Sequence, residues 1–247
     1  MRPSALLLLL FFSPDSSGLG RTGKTVVLLG EKGAVRMEFV ALGPGRFVMG
    51  EGADAHTVVL TRPFWIQTTE VTQEQWQAVM GSNPSQHKGD RRPVDHVSWL
   101  MAKDFVERLK AFTPGCEPAL PTEAEWEYAC RAGSRTKWCF GDGPAALTDH
   151  AWFGFGPVDR GSFDVGGKKP NVWGLFDMSG NVLEWCEDWF GGYAGDAVDP
   201  RGPEKGEKRI VRGGGWYGPA EHTLSAWRYS YAPDMTGQTL GLRVVLR

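Results

Sequence analysis

Leu120-Pro121-Thr122-Glu123-Ala124-Glu125-Trp126-Glu127 is the stretch from which the fold can be read. Thr122 followed three residues later by Glu125 is a capping box, so a helix opens here. Trp126, Ala129 and Cys130 line one side of it and Gly133 closes it, a reading that turns its charged residues outward. Upstream, a second helix runs from Ser98 to about residue 112, because Ala102, Phe105, Val106, Leu109 and Phe112 recur at three- and four-residue steps. Thr72 with Gln75 repeats the capping box, and Gly81 supplies the stop of a shorter helix.

Residues 35–42 and 46–49 read as strands around Gly43-Pro44-Gly45, a short hairpin by turn chemistry, with 58–60 and 64–67 extending that sheet. Between Gly141 and Pro203 no helical period survives. A loop that long is functional or disordered, but this one carries Trp152, Phe153, Phe163, Trp173 and Phe176, and a disordered segment is not so aromatic. It is therefore expected as ordered loop packed by its own rings. Ile210-Val211-Arg212 and residues 240–246 read as strands flanking an aromatic loop. With no repeat and no linker, the chain is expected to be one loop-rich α+β domain.

The 247 residues hold 27 Lys+Arg against 29 Asp+Glu, a net charge of −2, so nothing provides the basic footprint that nucleic-acid binding needs. A hydrophobic fraction of 41% excludes wholesale disorder. Met1-Arg2, an apolar run from Ala5 to Phe12 and the small residues Ser16-Ser17-Gly18 read as a secretory signal over residues 1–20. That run is too short to span a bilayer and no other stretch qualifies; with the signal the product is expected in the periplasm or outside the cell, and without it in the cytoplasm. Cys116, Cys130, Cys139 and Cys186 contain no C-x-x-C pair, and the five histidines show no ligand spacing, so neither points to zinc.

Together the blocks resemble the formylglycine-generating enzyme, or sulfatase-modifying-factor, family. They comprise Gly45-Arg46-Phe47-Val48-Met49-Gly50, Glu70-Val71-Thr72, Pro93-Val94 with Val97-Ser98-Trp99, the opening stretch, and Asn171-Val172-Trp173-Gly174-Leu175-Phe176-Asp177-Met178. Then follow Ser179-Gly180-Asn181-Val182-Leu183-Glu184-Trp185, Arg212-Gly213-Gly214-Gly215-Trp216 and Gly241-Leu242-Arg243. The order is the family's, and the resemblance covers residues 35–247. It implies one C-type-lectin-like domain with two to three helices, short twisted antiparallel sheets and chain ends brought together.

The resemblance also implies an activity, oxidation of a substrate cysteine to formylglycine by two copper-holding thiolates in the loop after Arg-Gly-Gly. Here that loop, residues 216–228, contains no sulfur, so copper is not expected. Gly215 stands where the enzymes have Ser, and Leu183 where they have Trp. The family's second calcium site maps onto Asp177, Gly180, Val182 and Glu184, two carboxylates and two carbonyls on a tight turn, as calcium prefers. Its other calcium site needs an Asn after Ala151-Trp152, and none follows there.

Trp216, Tyr217, His222, Trp227, Arg228, Tyr229 and Tyr231 concentrate in the C-terminal loop, and aromatics with Arg are common anchors of binding surfaces. The expectation is a non-catalytic, calcium-stabilised domain that binds a protein, peptide or glycan there, with a formylglycine-generating or other metal-dependent oxidase as the alternative. A special form would be the diversified variable protein of a retroelement. Glu221, Trp227, Met235 and Gln238 speak against it, because template adenine replacement does not produce their codons.

Overall fold

A computed structural model describes residues 21–29, 35–154 and 161–247. The leader expected over residues 1–20 lies outside them. In chain order the strands are β1 (Arg21–Leu29), β2 (Val35–Leu42), β3 (Gly45–Met49), β4 (His56–Leu60), β5 (Phe64–Gln67) and β6 (Pro118–Ala119). They continue with β7 (Leu183–Trp189), β8 (Ala197–Val198), β9 (Arg209–Arg212), β10 (Arg228–Tyr231), β11 (Leu240–Gly241) and β12 (Val245–Leu246). The helices are α1 (Gln73–Met80), α2 (Trp99–Leu109), α3 (Glu123–Arg131) and the single turn α4 (Leu147–His150).

All three expected helices form, the second ending at Leu109 with a 3-10 turn over Lys110–Phe112. Thr72 and Thr122 complete capping boxes with Gln75 and Glu125, Ser98 caps α2, and Gly81 ends α1 in the left-handed region. Ala102, Phe105, Val106 and Leu109 are buried on one face of α2, and Trp76 of α1 stacks on Phe105 at 5.0 Å.

Three small sheets wrap these helices, ordered β1-β2-β5-β12-β6, β10-β9-β7-β11 and β3-β4-β8. The first is antiparallel throughout, whereas β11 runs parallel to β7 and β8 parallel to β4. β12, near the C-terminus, lies in the same sheet as β1, the first described strand.

Two expectations need correction. β2 and β3 are not a hairpin, because β2 pairs with β1 and β5 while β3 pairs with β4 in another sheet. The intervening segment is pressed against α3, where Tyr128 donates its hydroxyl to the Gly43 carbonyl at 3.3 Å. A Cβ at Gly45 would lie 2.3 Å from that hydroxyl, so this glycine serves a close approach rather than a turn. The second correction concerns α3, whose Glu123, Glu127 and Arg131 are buried, not outward. Glu123 pairs there with Arg228, and Glu127 with both Arg212 and Arg131.

The span 141–203 is mostly irregular, yet it contributes β7 to the middle of the four-stranded sheet. Residues 240–246 divide into two strands of different sheets, and 228–231 form a strand where loop was expected.

Candidate functional site

The C-terminal aromatic region is built on Arg212 at the end of β9. Its guanidinium is fully buried, pairs with Glu127 of α3, and donates to the carbonyls of Ser225, Ala226 and Trp227 at 2.9, 2.9 and 2.6 Å. Those bonds fold residues 213–227 back over the sheet. The return is tight, since a Cβ at Gly214, where φ is +77°, would lie 2.6 Å from the His222 carbonyl oxygen. Thr223 secures the far side, accepting from Trp138 Nε1 at 3.0 Å while its carbonyl accepts from Ser179 Oγ at 3.0 Å.

Beyond Trp227 the chain enters β10, and strand alternation sorts its side chains. Trp227, Tyr229 and Tyr231 point to one face, with centroid spacings of 5.7 Å and 5.0 Å. His222 prolongs the row by stacking on Trp227 at 4.4 Å. These four, with Tyr217, Leu183, Gly215 and Thr239, line a cleft of about 270 Å³ that contains no carboxylate, ammonium or guanidinium group. Tyr217 and Tyr229 are exposed, and β10 is the outer strand of its sheet.

Thus five of the seven residues expected in ligand contact meet in one cleft. Trp216 is instead fully buried, its Nε1 directed at the Gln238 carbonyl at 3.5 Å. Arg228 points away from the row, giving Nε and Nη2 to Glu123 at 2.8 and 2.6 Å and Nη1 to the Gly191 carbonyl at 2.8 Å.

No thiol lines this cleft. Cys130 is buried in α3, with Sγ 3.6 Å from Ser225 Oγ, and burial pushes its pKa up to about 12. Burial raises Cys116 and Cys186 as well, and Cys139 to about 11, so at neutral pH all four are protonated thiols and poor nucleophiles. All four are free.

Of the four expected calcium ligands, Asp177, Gly180 and Val182 lie in the turn before β7, and Glu184 lies within β7. Asp177 and Asn181 are in left-handed conformation, as is Gly180, whose added Cβ would meet the Trp152 carbonyl oxygen at 2.1 Å. Asp177 accepts the Gly166 N–H at 2.6 Å through Oδ2, and its Oδ1 is buried without a partner. Beside it stands Glu70, fully buried, neither of whose oxygens accepts a hydrogen bond. Burial raises both pKa values, that of Asp177 to about 6, and the Asp177 charge raises Glu70 further. Glu184 is differently placed, with both oxygens on Arg243 and a further bond from Trp126 Nε1 at 2.7 Å.

Sequence reasoning missed Glu70, Asp188 and the pairing of Glu123 and Glu127 with Arg228 and Arg212. One signal was available, since Glu123, Glu127 and Arg131 recur every four residues and so share one helix face.

This loop-rich α+β fold with its Arg-Gly-Gly return is that of the formylglycine-generating enzymes. The description "Sulfatase-modifying factor enzyme 1-like domain" matches residues 29–247, and the chain belongs to that family. It is 29% identical to the chaperone protein LppX of Paenibacillus barcinonensis, over 84% of this chain and 89% of that protein. It is 33% identical to the formylglycine-generating enzyme of Streptomyces coelicolor over 83% of this chain, but spans only 65% of that enzyme. Among solved structures, Treponema denticola variable protein 1 superposes with a TM-score of 0.84 at 30% identity, covering 91% of this chain and 99% of that one. PvdO from Pseudomonas aeruginosa gives 0.75 at 27%, covering 85% and 94%.

Proposed function

We propose that this chain is a non-catalytic recognition domain that holds a polypeptide segment in the cleft of Tyr217, His222, Trp227, Tyr229 and Tyr231. The observation that carries this is an uncharged, ring-lined cleft on the outer strand of a sheet. Aromatic side chains supply large contact area there, and an open strand edge offers backbone bonds to an extended chain. A relative named a chaperone over most of both lengths supports a polypeptide over a glycan. The lack of any thiol in the loop speaks against formylglycine formation, which needs one as nucleophile.

The reading includes calcium beside Asp177 and an exported product. Asp177 Oδ1 and Glu70 are buried acceptors without donors, which suits a hard cation held by them and the Gly180 and Val182 carbonyls. Glu184 fits less well, since Arg243 already neutralises it. When bound, the ion would neutralise two buried carboxylates and fix the turn. Saturation at about a hundred times its dissociation constant stabilises by roughly 2.7 kcal/mol, so a melt with calcium and then with chelator tests it. N-terminal sequencing of the secreted product tests the leader.

For the cleft, the probe is a reduced, carboxymethylated carrier polypeptide titrated by fluorescence anisotropy. Saturable binding that Trp227→Ala weakens is expected. Undiminished binding by that variant, or turnover of a cysteine-containing sulfatase-motif peptide with copper, counts against the reading.

A further inference from the structure

Asp188, near the end of β7, takes no part in the cleft. Its Oδ2 accepts the Glu123 N–H at 2.9 Å, the residue is only 4% exposed, and burial followed by the Glu123 charge pushes its pKa up to about 7. A buried carboxyl raised in this way within a concavity is a functional-site signal. The concavity is a cavity of about 380 Å³ between the start of α3 and the glycine-rich segment 190–203. It opens on the opposite face of β10 from the aromatic row, because Arg228 reaches it while Trp227 and Tyr229 point away.

Its acids and guanidinium groups match in number. Glu123 and Asp188 face Arg201 and Arg228, and the remaining wall is chiefly apolar, with Met49, Tyr193 and glycines. Tyr193 is fixed between the His56 ring at 4.5 Å and the Arg228 guanidinium at 4.2 Å, so the wall is preorganised. A cationic guest would meet two guanidinium groups, and an anionic guest two carboxylates. A neutral guest with hydroxyls can donate to the acids and accept from the arginines without unbalancing either.

We propose that this cavity binds one neutral monosaccharide unit, its hydroxyls bonded to Asp188 and Arg228 and its ring lodged between Met49 and the glycine-rich segment. The volume is that of a small-ligand site, and charged groups set in a chiefly apolar wall give strong hydrogen bonds to uncharged hydroxyls. Nothing in it depends on what the aromatic cleft holds.

The test is a titration of the full-length, ¹⁵N-labelled protein with the methyl glycosides of glucose, galactose, mannose and N-acetylglucosamine. At least one is expected to shift the amides of residues 188–195 and 201–202 saturably. Gly192→Trp should abolish those shifts with an unchanged melting temperature, because a Cβ there meets no atom within 4 Å and the backbone is not left-handed. Asp188→Asn should weaken binding about tenfold. Saturable shifts with none of the four, shifts that survive Gly192→Trp, or binding of methylammonium or acetate at the same amides would overturn the proposal.

Discussion

Glu184 gives both carboxylate oxygens to Arg243, whose Nη2 and Nε reach them at 2.7 and 2.9 Å, and neither side chain touches solvent. Arg243 also donates to the carbonyls of Gln67 and Phe176 at 3.0 and 2.8 Å. The pair therefore ties β7 and the C-terminal segment to the end of β5 and to the turn that carries Asp177.

Removing one partner of a buried pair leaves the other charged and unmatched, at a cost of about 3–5 kcal/mol. Glu184→Gln is expected to lower stability by that amount in urea denaturation. Glu184→Leu combined with Arg243→Met should recover part of it, since neither member of the pair is then left charged without the other.

Asp188 makes stability depend on pH. Its folded pKa of about 7 exceeds the unfolded 3.8, so its contribution is complete below about pH 4 and is lost as pH rises through 7. Asp188→Asn keeps an oxygen for the Glu123 N–H and removes the titration. The variant should gain on the parent between pH 5 and pH 8, by at most roughly 4 kcal/mol, in paired thermal melts. A constant difference across that range would contradict the assignment.

Tyr229 is 48% exposed and carries little of the fold. Tyr229→Ala is expected to leave the melting temperature within a degree or two while costing about 1–2 kcal/mol of polypeptide binding. Anisotropy titration and calorimetry on one preparation separate the two effects.

Gly180 and Gly133 have nearly the same left-handed φ, +86° and +87°, but different surroundings. Nothing lies within 4 Å of an added Cβ at Gly133, so Gly133→Ala should cost about 1 kcal/mol. Gly180→Ala collides with the Trp152 carbonyl and should cost well over 2 kcal/mol, with loss of soluble protein.

The helices were legible because their signals are local. A Thr with a Glu or Gln three residues on specifies a helix start without reference to the rest of the chain. Strand pairing is not local, and Gly43-Pro44-Gly45 has the composition of a hairpin turn while serving as a crossing beneath Tyr128. β7 was hidden for a different reason. Glu184 and Asp188 are buried acids, so the segment shows no apolar alternation, and their burial is explained by distant partners, Arg243 and Trp126 Nε1 for the one and the Glu123 N–H for the other. In the candidate cleft the ring residues could be read as a group, but the turning of Arg228 to the other face follows from β10 being a strand.

From α3 to the cavity, charges alternate in one line, Arg131, Glu127, Arg212, Glu123 and Arg228. At its centre Arg212 holds residues 225–227 by their carbonyl oxygens alone. Every amino acid presents that same atom. The grip itself is therefore made to the backbone, and an outward-facing position after it, such as Tyr229, can be changed without breaking it. A domain anchored this way is suited to changing its ligand by substitution while keeping its shape.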